Sequence, residues 1–567
     1  MNKFQHWQDW LDCQYHQLVV ILTIGDQLAA LAGSKNEVRL MDWLDTFEQI
    51  TRHKDRRSPL YMRLTERVRK SIVTGELVPN EKLPADRELA KLLNVDRSTI
   101  ARAYNQLEKE GLVYSHVGRG TFVSQVAGVA PKGSLLEGVR YDELPVKGQL
   151  GPSRLVWSDK FSRSSDYVSN LVNRQRQSTP PAQCISFSAG SPSDEFFPQS
   201  DFREIVQSLL DSASAHEMLG YSQPEGHPAL LREVQSYLSR QGIKADLSEI
   251  LILSGSQQGI DLVARTLLDT DDVVLIEDPS YFWALCNFSA TGARTVPVSM
   301  DEYGLRLDSF ENVASRVDAK LLYTIPTFQN PTGATLPESR RRKLLELAAR
   351  FQVPILEDNF VGDLTYTAEP ILPLKSIDEH GCVIYQGTFS KALCPGLRLG
   401  WLVAPRAVMP RLQLAKRTCD LSTNSMAQII LAEYLRRGYY EQHLTEVRAE
   451  YIKRLDTMCG AIDKYAASYI SYSRPAGGMF LWCKLPPGYS SRELLSFAER
   501  EGVTYSPGDV YYVAGGHPET LRLTFIQQTS DQIVEGIQRL AKALKLYGSS
   551  RKRVQGEGFR VAESTYI

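Results

Sequence analysis

Between residues 58 and 124 the apolar positions settle into short helical periods. Leu60, Leu64, Val68 and Ile72 recur every four residues and Gly75 follows, which predicts an amphipathic helix with a glycine stop. Pro84-Ala85-Asp86-Arg87 opens a shorter helix holding Leu89, Ala90, Leu92 and Leu93, and Asn94-Val95-Asp96 makes a tight turn after it. In a third helix Ile100, Tyr104 and Leu107 form the buried stripe, while Arg97, Thr99, Arg102 and Asn105 lie mostly off it. Past Gly111, strands over 112–117 and 121–124 flank a Gly118-Arg119-Gly120 tip and predict a hairpin whose arginine can reach a minor groove or a phosphate. Two helices joined by a short turn, the second rich in long donors near its N-terminus, are how a chain presents side chains to the major groove of double-stranded DNA.

From 125 to 182 no period persists. Pro131, Gly133, Pro145, Gly148, Gly151, Pro152 and Pro180-Pro181 mark an interdomain linker with one short helix around 167–172. From 183 to 547 apolar strands at 184–187, 250–253, 273–277, 321–325, 353–357 and 383–386 alternate with helical segments such as 337–351. That order predicts an α/β domain with a mostly parallel sheet covered on both faces, whose ligands bind at the carboxyl ends of the strands. Residues 1–57 read as an N-terminal extension of unassigned role, and 548–567 as a C-terminal tail. Met41 would serve as a second start, so 1–40 are expected to be dispensable.

Composition adds three constraints. At 567 residues the chain needs more than one core. Its net charge of −1 hides an uneven distribution: from Thr51 to Ser124 there are fifteen Lys and Arg against nine Asp and Glu, which leaves −7 for the rest. A basic module is therefore joined to a mildly acidic body. The eight cysteines are scattered without a CxxC pair, which points to reduced thiols in a cytoplasmic protein and against a zinc site. The longest strongly apolar run near the start, 18–24, is far below the roughly 20 residues of a membrane span.

The chemistry centres on 387–400. There Lys391 follows Thr388 and Ser390 and precedes Arg398, placing one amine among several anion donors. Such a group suits a phosphorylated aldehyde: the amine forms a Schiff base, the hydroxyls and the guanidinium hold the phosphate. Other candidates stand at strand ends. Ser254-Gly255-Ser256-Gln257-Gln258-Gly259 opens a helix whose N-H groups favour phosphate. Tyr281 can stack on a flat ring, Asn330 can donate to a ring oxygen, and Asp358 can keep a pyridine nitrogen protonated.

Two resemblances follow from these residues. The stretches PLYMRL, IVTGEL and LPADRELAKLLNVDRSTIARAYNQLEKEGLVYSHVGRGTFV resemble the GntR family of winged helix-turn-helix proteins, with Asn80 where that family usually has glycine. The resemblance implies that Arg87, Arg97, Ser98, Thr99, Arg102 and the tip Gly118, Arg119, Gly120 meet DNA. From about 183 to 547 the chain resembles fold type I pyridoxal phosphate enzymes of the aspartate aminotransferase class. That likeness implies Lys391 for the internal aldimine, Asp358 at the ring nitrogen, Asn330 at the ring hydroxyl, Tyr281 for stacking, and Ser256, Gln257, Thr388, Ser390 and Arg398 for phosphate. It further implies Arg522 for a substrate carboxylate and Tyr221 as a contribution from the partner of a homodimer. One departure is that Phe360 and Val361 stand where a tyrosine usually bonds the ring hydroxyl, which puts efficient transamination in doubt. Together the two halves resemble the MocR subfamily of transcriptional regulators, so the expected protein binds an operator and senses an amino compound, or pyridoxal phosphate itself, by exchange at Lys391. The alternative is an active aminotransferase that carries a DNA-binding domain.

Overall fold

The computed structural model describes residues 60–73, 77, 81–93, 95–109, 112–116, 120–124, 160–175, 184–212, 215–368 and 371–563. The extension over 1–57, most of the segment 125–182 and the tip residues Gly118 and Arg119 lie outside them. The chain divides into two compact units, 1–153 and 154–567.

In the first unit, α1 (Leu60–Val73), α2 (Asp86–Leu92) and α3 (Arg97–Lys109) precede a hairpin of β1 (Val113–His116) and β2 (Gly120–Val123). The four-residue period of α1 does what it predicts: Leu64, Val68 and Ile72 are buried against Leu89 and Ala90 of α2 and Ile100, Ala103, Tyr104 and Leu107 of α3. The Tyr104 hydroxyl donates to the Pro84 carbonyl at 3.0 Å, which ties α3 to the entry of α2. Asp96 starts α3 by accepting the Ser98 backbone N-H at 2.7 Å, and its hydrogen bonds with Ser98 hold its carboxyl below the usual range. Lys82 bridges to Phe122 beside the hairpin, and its side chain passes so close that a Cβ on Gly120, at φ +111°, would lie 2.9 Å from it.

The second unit is built on an eight-stranded sheet. Its strands are β4 (Ile250–Leu253), β5 (Val273–Asp278), β6 (Arg294–Asp301), β7 (Gly304–Leu305), β8 (Ala319–Thr324), β9 (Ile355–Asn359), β10 (Val383–Thr388) and β11 (Gly400–Val403), the short β3 (Ile185–Ser186) lying elsewhere. Across the sheet they run β4, β11, β10, β9, β8, β5, β6, β7. The central strands from β10 to β6 are parallel, and β11 is inserted antiparallel between β10 and β4. All four residues of β4 and all six of β10 are buried, as a sheet covered on both faces requires. β6 escapes the sequence pattern because its exposed Arg294 and Pro297 interrupt the apolar run.

A smaller sheet, ordered β12 (Ser471–Tyr472), β13 (Phe480–Lys484), β16 (Thr520–Thr524) and β15 (Ser506–Pro507), is antiparallel, and β14 (Val503–Thr504) pairs with β3. In place of one short helix around 167–172 there is a longer one, Arg163–Gln175. Its Val168, Leu171 and Val172 pack on a satellite cluster of Phe282, Cys286 and Tyr511, separate from the main core. The last helix runs from Ser530 to Glu563, so the expected tail after Tyr547 begins inside a continuous helix.

Candidate functional site

Five strand ends converge on one cavity of about 430 Å³. Of the predicted residues, Ser256, Tyr281, Asn330, Asp358, Lys391 and Arg522 line it. Asp358 lies near the end of β9, fully enclosed. The Tyr323 hydroxyl from β8 donates to its Oδ2 at 2.7 Å, while Oδ1 is buried without a partner, an oxygen that a bound donor would satisfy. Burial raises the Asp358 carboxyl to about 6, against the pull of Tyr323, Gln386 and Lys391. Lys391 donates to the Gly190 carbonyl at 2.6 Å. Desolvation first, then the guanidinium groups of Arg522 and Arg398, lower its amine to about 8, so that the neutral form a nucleophile needs is reached at mildly basic pH.

At one end of the cavity, where Ser256 lines it, several anion donors gather. Gly255, at φ +91°, turns the chain from β4 into the helix Ser256–Leu267, leaving that helix's first N-H groups open. Arg398 takes a left-handed conformation at φ 52° and sets its guanidinium against Gly255, so closely that a Cβ there would meet Nη2 at 2.5 Å. Arg398 Nη1 donates to Ser390 Oγ at 3.3 Å. Thr388 is drawn into this loop rather than into the cavity: its Oγ1 lies 3.0 Å from both Ser390 Oγ and the Leu399 carbonyl, and it accepts the Ser390 N-H at 3.1 Å. Gln257 is likewise tied back, its Oε1 accepting from the Tyr281 hydroxyl at 3.3 Å.

At the other end Arg522, on β16, is buried without any carboxylate at ion-pair distance among the described residues. Nη1 donates to Asn330 Oδ1 at 2.9 Å and Nη2 to the Ser188 carbonyl at 2.8 Å, while Nε has no partner. The guanidinium lies 3.9 Å from the Phe480 ring centre and 5.0 Å from that of Tyr511. A buried cation held only by neutral acceptors and aromatic faces has the chemistry to pair with a carboxylate. Tyr221 is not brought to the cavity of its own chain; it is 91% exposed.

In the first unit Arg87 and Ser98 are exposed on adjoining helices, with Thr99 also at the start of α3. Arg97 is exposed and pairs with Asp86 at 2.8 Å, and Arg102 lies over the Tyr61 ring at 5.0 Å. These side chains share the two helices that the sequence assigns to DNA.

Residues 60–123 match the GntR family of bacterial regulatory proteins, and 182–540 match aminotransferase class I and II. An HTH-type transcriptional regulator of Bacillus subtilis strain 168, YisV, is 32% identical over 86% of this chain and 96% of its own. The probable rhizopine catabolism regulatory protein MocR of Rhizobium meliloti is 26% identical over 82% of this chain and 92% of its own. The chain belongs to the MocR subfamily of GntR regulators. This MocR-type regulator is also 36% identical to aromatic-amino-acid aminotransferase 1 of Thermococcus litoralis, over 64% of this chain and 88% of that one. Among solved structures, the α-aminoadipate aminotransferase LysN of Thermus thermophilus, complexed with N-(5'-phosphopyridoxyl)-L-leucine, superposes with a TM-score of 0.64 at 33% identity, covering 69% of this chain and 98% of LysN. The regulator is thus a transcription factor with a GntR-type DNA-binding region and a fold type I aminotransferase body.

Sequence reasoning missed several residues of the MocR-type cavity: Tyr323, Gly190 and Ser188, and the aromatic wall of Phe282, Trp283, Tyr511 and Phe480. Tyr323 carries no local signal, since it acts across from β8 to β9. Phe282 and Trp283 directly follow Tyr281 at the start of a helix, so their position beside a predicted site residue was the one available hint.

Proposed function

We propose that this regulator holds pyridoxal 5'-phosphate at Lys391 and responds there to an amino compound, or to the cofactor itself, by changing its hold on an operator. The observation that carries this reading is the donor set of the cavity, with the partnerless Oδ1 of Asp358 in the same lining as an amine whose charged form burial disfavours. A pyridinium N-H would satisfy that oxygen. The cradle of Ser256, Ser390 and Arg398 would take the phosphate, with Gln257 and Thr388 bracing it. Tyr281 would stack, and Asn330, whose Oδ1 is taken by Arg522, would offer Nδ2 to the ring hydroxyl. When bound, the cofactor supplies an aldehyde carbon that takes one amine reversibly in place of another. Arg522 would then orient the incoming ligand by its carboxylate.

The reader would meet DNA through Arg87, Arg97, Ser98, Thr99, Arg102 and the 118–120 tip. Ligand-dependent regulation needs only that the two binding events differ in free energy between two arrangements of the chain. A homodimer is supported by the exposed apolar side chains Leu219, Tyr221, Leu421 and Met426 on neighbouring elements, where Ser425 Oγ donates to the Gly220 carbonyl at 2.7 Å. Tyr221 would then enter the cavity of the second copy.

The test is an absorbance scan of protein supplied with pyridoxal phosphate, run with operator binding at fixed salt and repeated with amines. A visible band that amines shift, together with altered operator affinity, is expected. A preparation that stays colourless rejects the reading. A second reading, sustained transamination, is favoured by the intact Lys391, Asp358 and Arg522 set; turnover with amino donors and a keto acid would establish it.

A further inference from the structure

The cavity also restricts what kind of amino compound it takes, an inference that rests on the reading above. The charged side chains lining it are Lys391, Asp358 and Arg522, with Arg398 at the cradle. In that reading three are already matched, Asp358 to the ring, Arg398 to the phosphate and Arg522 to one carboxylate, while Lys391 is bonded to the cofactor until an incoming amine releases it. The remaining wall is Phe282, Trp283, Tyr511, Phe360 and Phe480, joined by serine hydroxyls. Ser506 Oγ and the Tyr511 hydroxyl are hydrogen-bonded to each other at 2.7 Å.

We infer that the ligand is a monocarboxylic amino acid with a large uncharged side chain, read by the Phe282, Trp283 and Tyr511 wall. A second ammonium would enter without a free partner among the described lining residues, and a second carboxylate would find only the released Lys391 amine, whose charged form burial disfavours. An aromatic or branched aliphatic side chain instead replaces water against rings that already face one another: Phe282 and Trp283 meet edge to face at 5.3 Å, and Trp482 supports Tyr511 at 6.0 Å. The helix Arg163–Gln175 packs Val168, Leu171 and Val172 against the cluster that holds Phe282 and Tyr511, while Trp283 stands 44% exposed.

The experiment titrates full-length protein loaded with pyridoxal phosphate with L-phenylalanine, L-leucine, L-alanine, L-glutamate, L-lysine and γ-aminobutyrate, following the visible band and operator affinity in parallel. Phenylalanine and leucine are expected to half-saturate the shift at concentrations about tenfold or more below those for glutamate and lysine. Trp283→Ala should bring the half-saturating concentrations of phenylalanine and alanine closer together, with the cofactor band before titration showing that the variant is folded and loaded. Tighter response to glutamate, lysine or γ-aminobutyrate overturns the ligand class while leaving the sensor reading intact; this includes the case where a partner subunit supplies a further charge. An unchanged phenylalanine-to-alanine ratio in Trp283→Ala overturns the role of the wall. A band that no amine moves overturns both this inference and the reading beneath it.

Discussion

Lys391 is the residue whose ionisation decides how the cavity behaves before any ligand arrives. Burial and the neighbouring Arg522 and Arg398 bring its amine down to about 8, while Asp358 pulls the other way. The neutral amine therefore gains as pH rises through that value, and the rate at which protein captures pyridoxal phosphate should climb between about pH 7 and 9. A stopped-flow pH series checks this, and Lys391→Ala should show no covalent band at any pH. Tyr323 offers a second measurement at this scale. Tyr323→Phe removes the donor to Asp358 Oδ2 and leaves a buried carboxylate poorer by one bond, so cofactor retention should weaken about tenfold in equilibrium dialysis.

Glu357, adjacent to Asp358, bears on stability. It is wholly buried and accepts the N-H groups of Leu374 and Lys375 at 2.8 and 2.9 Å, yet burial still lifts its carboxyl to about 7. Because this folded value exceeds the unfolded one, the stabilising contribution is complete below about pH 4.5 and lost as pH rises through about 7. In cofactor-free protein Glu357→Gln should flatten the fall in Tm between about pH 5 and 8, read by a melting series against the unaltered chain.

Among elements, the junction of β4 and the helix Ser256–Leu267 has the least tolerance. Gly255 combines a left-handed φ with the close approach of Arg398, so Gly255→Ala adds backbone strain and pushes the guanidinium away. Loss of cofactor binding with the secondary structure retained is the expected outcome in absorbance and circular dichroism. The helix Arg163–Gln175 illustrates the reverse case, an element at which sequence periodicity only hints. Its apolar contact is three side chains against a small cluster, and Leu171→Glu would put a charge against the Phe282, Cys286 and Tyr511 cluster. Ligand affinity should fall while the main core, which this helix does not enter, keeps the body folded; parallel titration and melting curves separate the two effects.

For the molecule as a whole, charge is divided between a basic reader and an acidic body, and the two respond differently to salt. The logarithm of operator affinity should fall linearly with the logarithm of salt concentration, and Arg87→Ala should reduce that slope by about one if Arg87 meets a phosphate. The pyridoxal phosphate band, set by buried contacts, should hardly change over the same range. Leu219, 77% exposed beside Tyr221, belongs to the same scale: Leu219→Asp is expected to shift sedimentation toward a single copy.

Periodicity alone determined the three reader helices, the hairpin and the parallel strands other than β6, because each buries a face or a run against a neighbouring layer and so leaves a local pattern in the chain. The short motifs around Gly255, Asn330, Asp358 and Lys391 were legible for a related reason: turns at strand ends need particular residue types. Tertiary structure decided what depends on pairs far apart in sequence. Only the adjacency of β8 and β9 puts Tyr323 on Asp358, and only the pairing of β13 with β16 and the turn ending at Tyr511 bring Arg522 to Phe480 and Tyr511. Those contacts join residues whose own surroundings in the chain are ordinary strand or, for Tyr511, a single turn, so no period or motif could announce them.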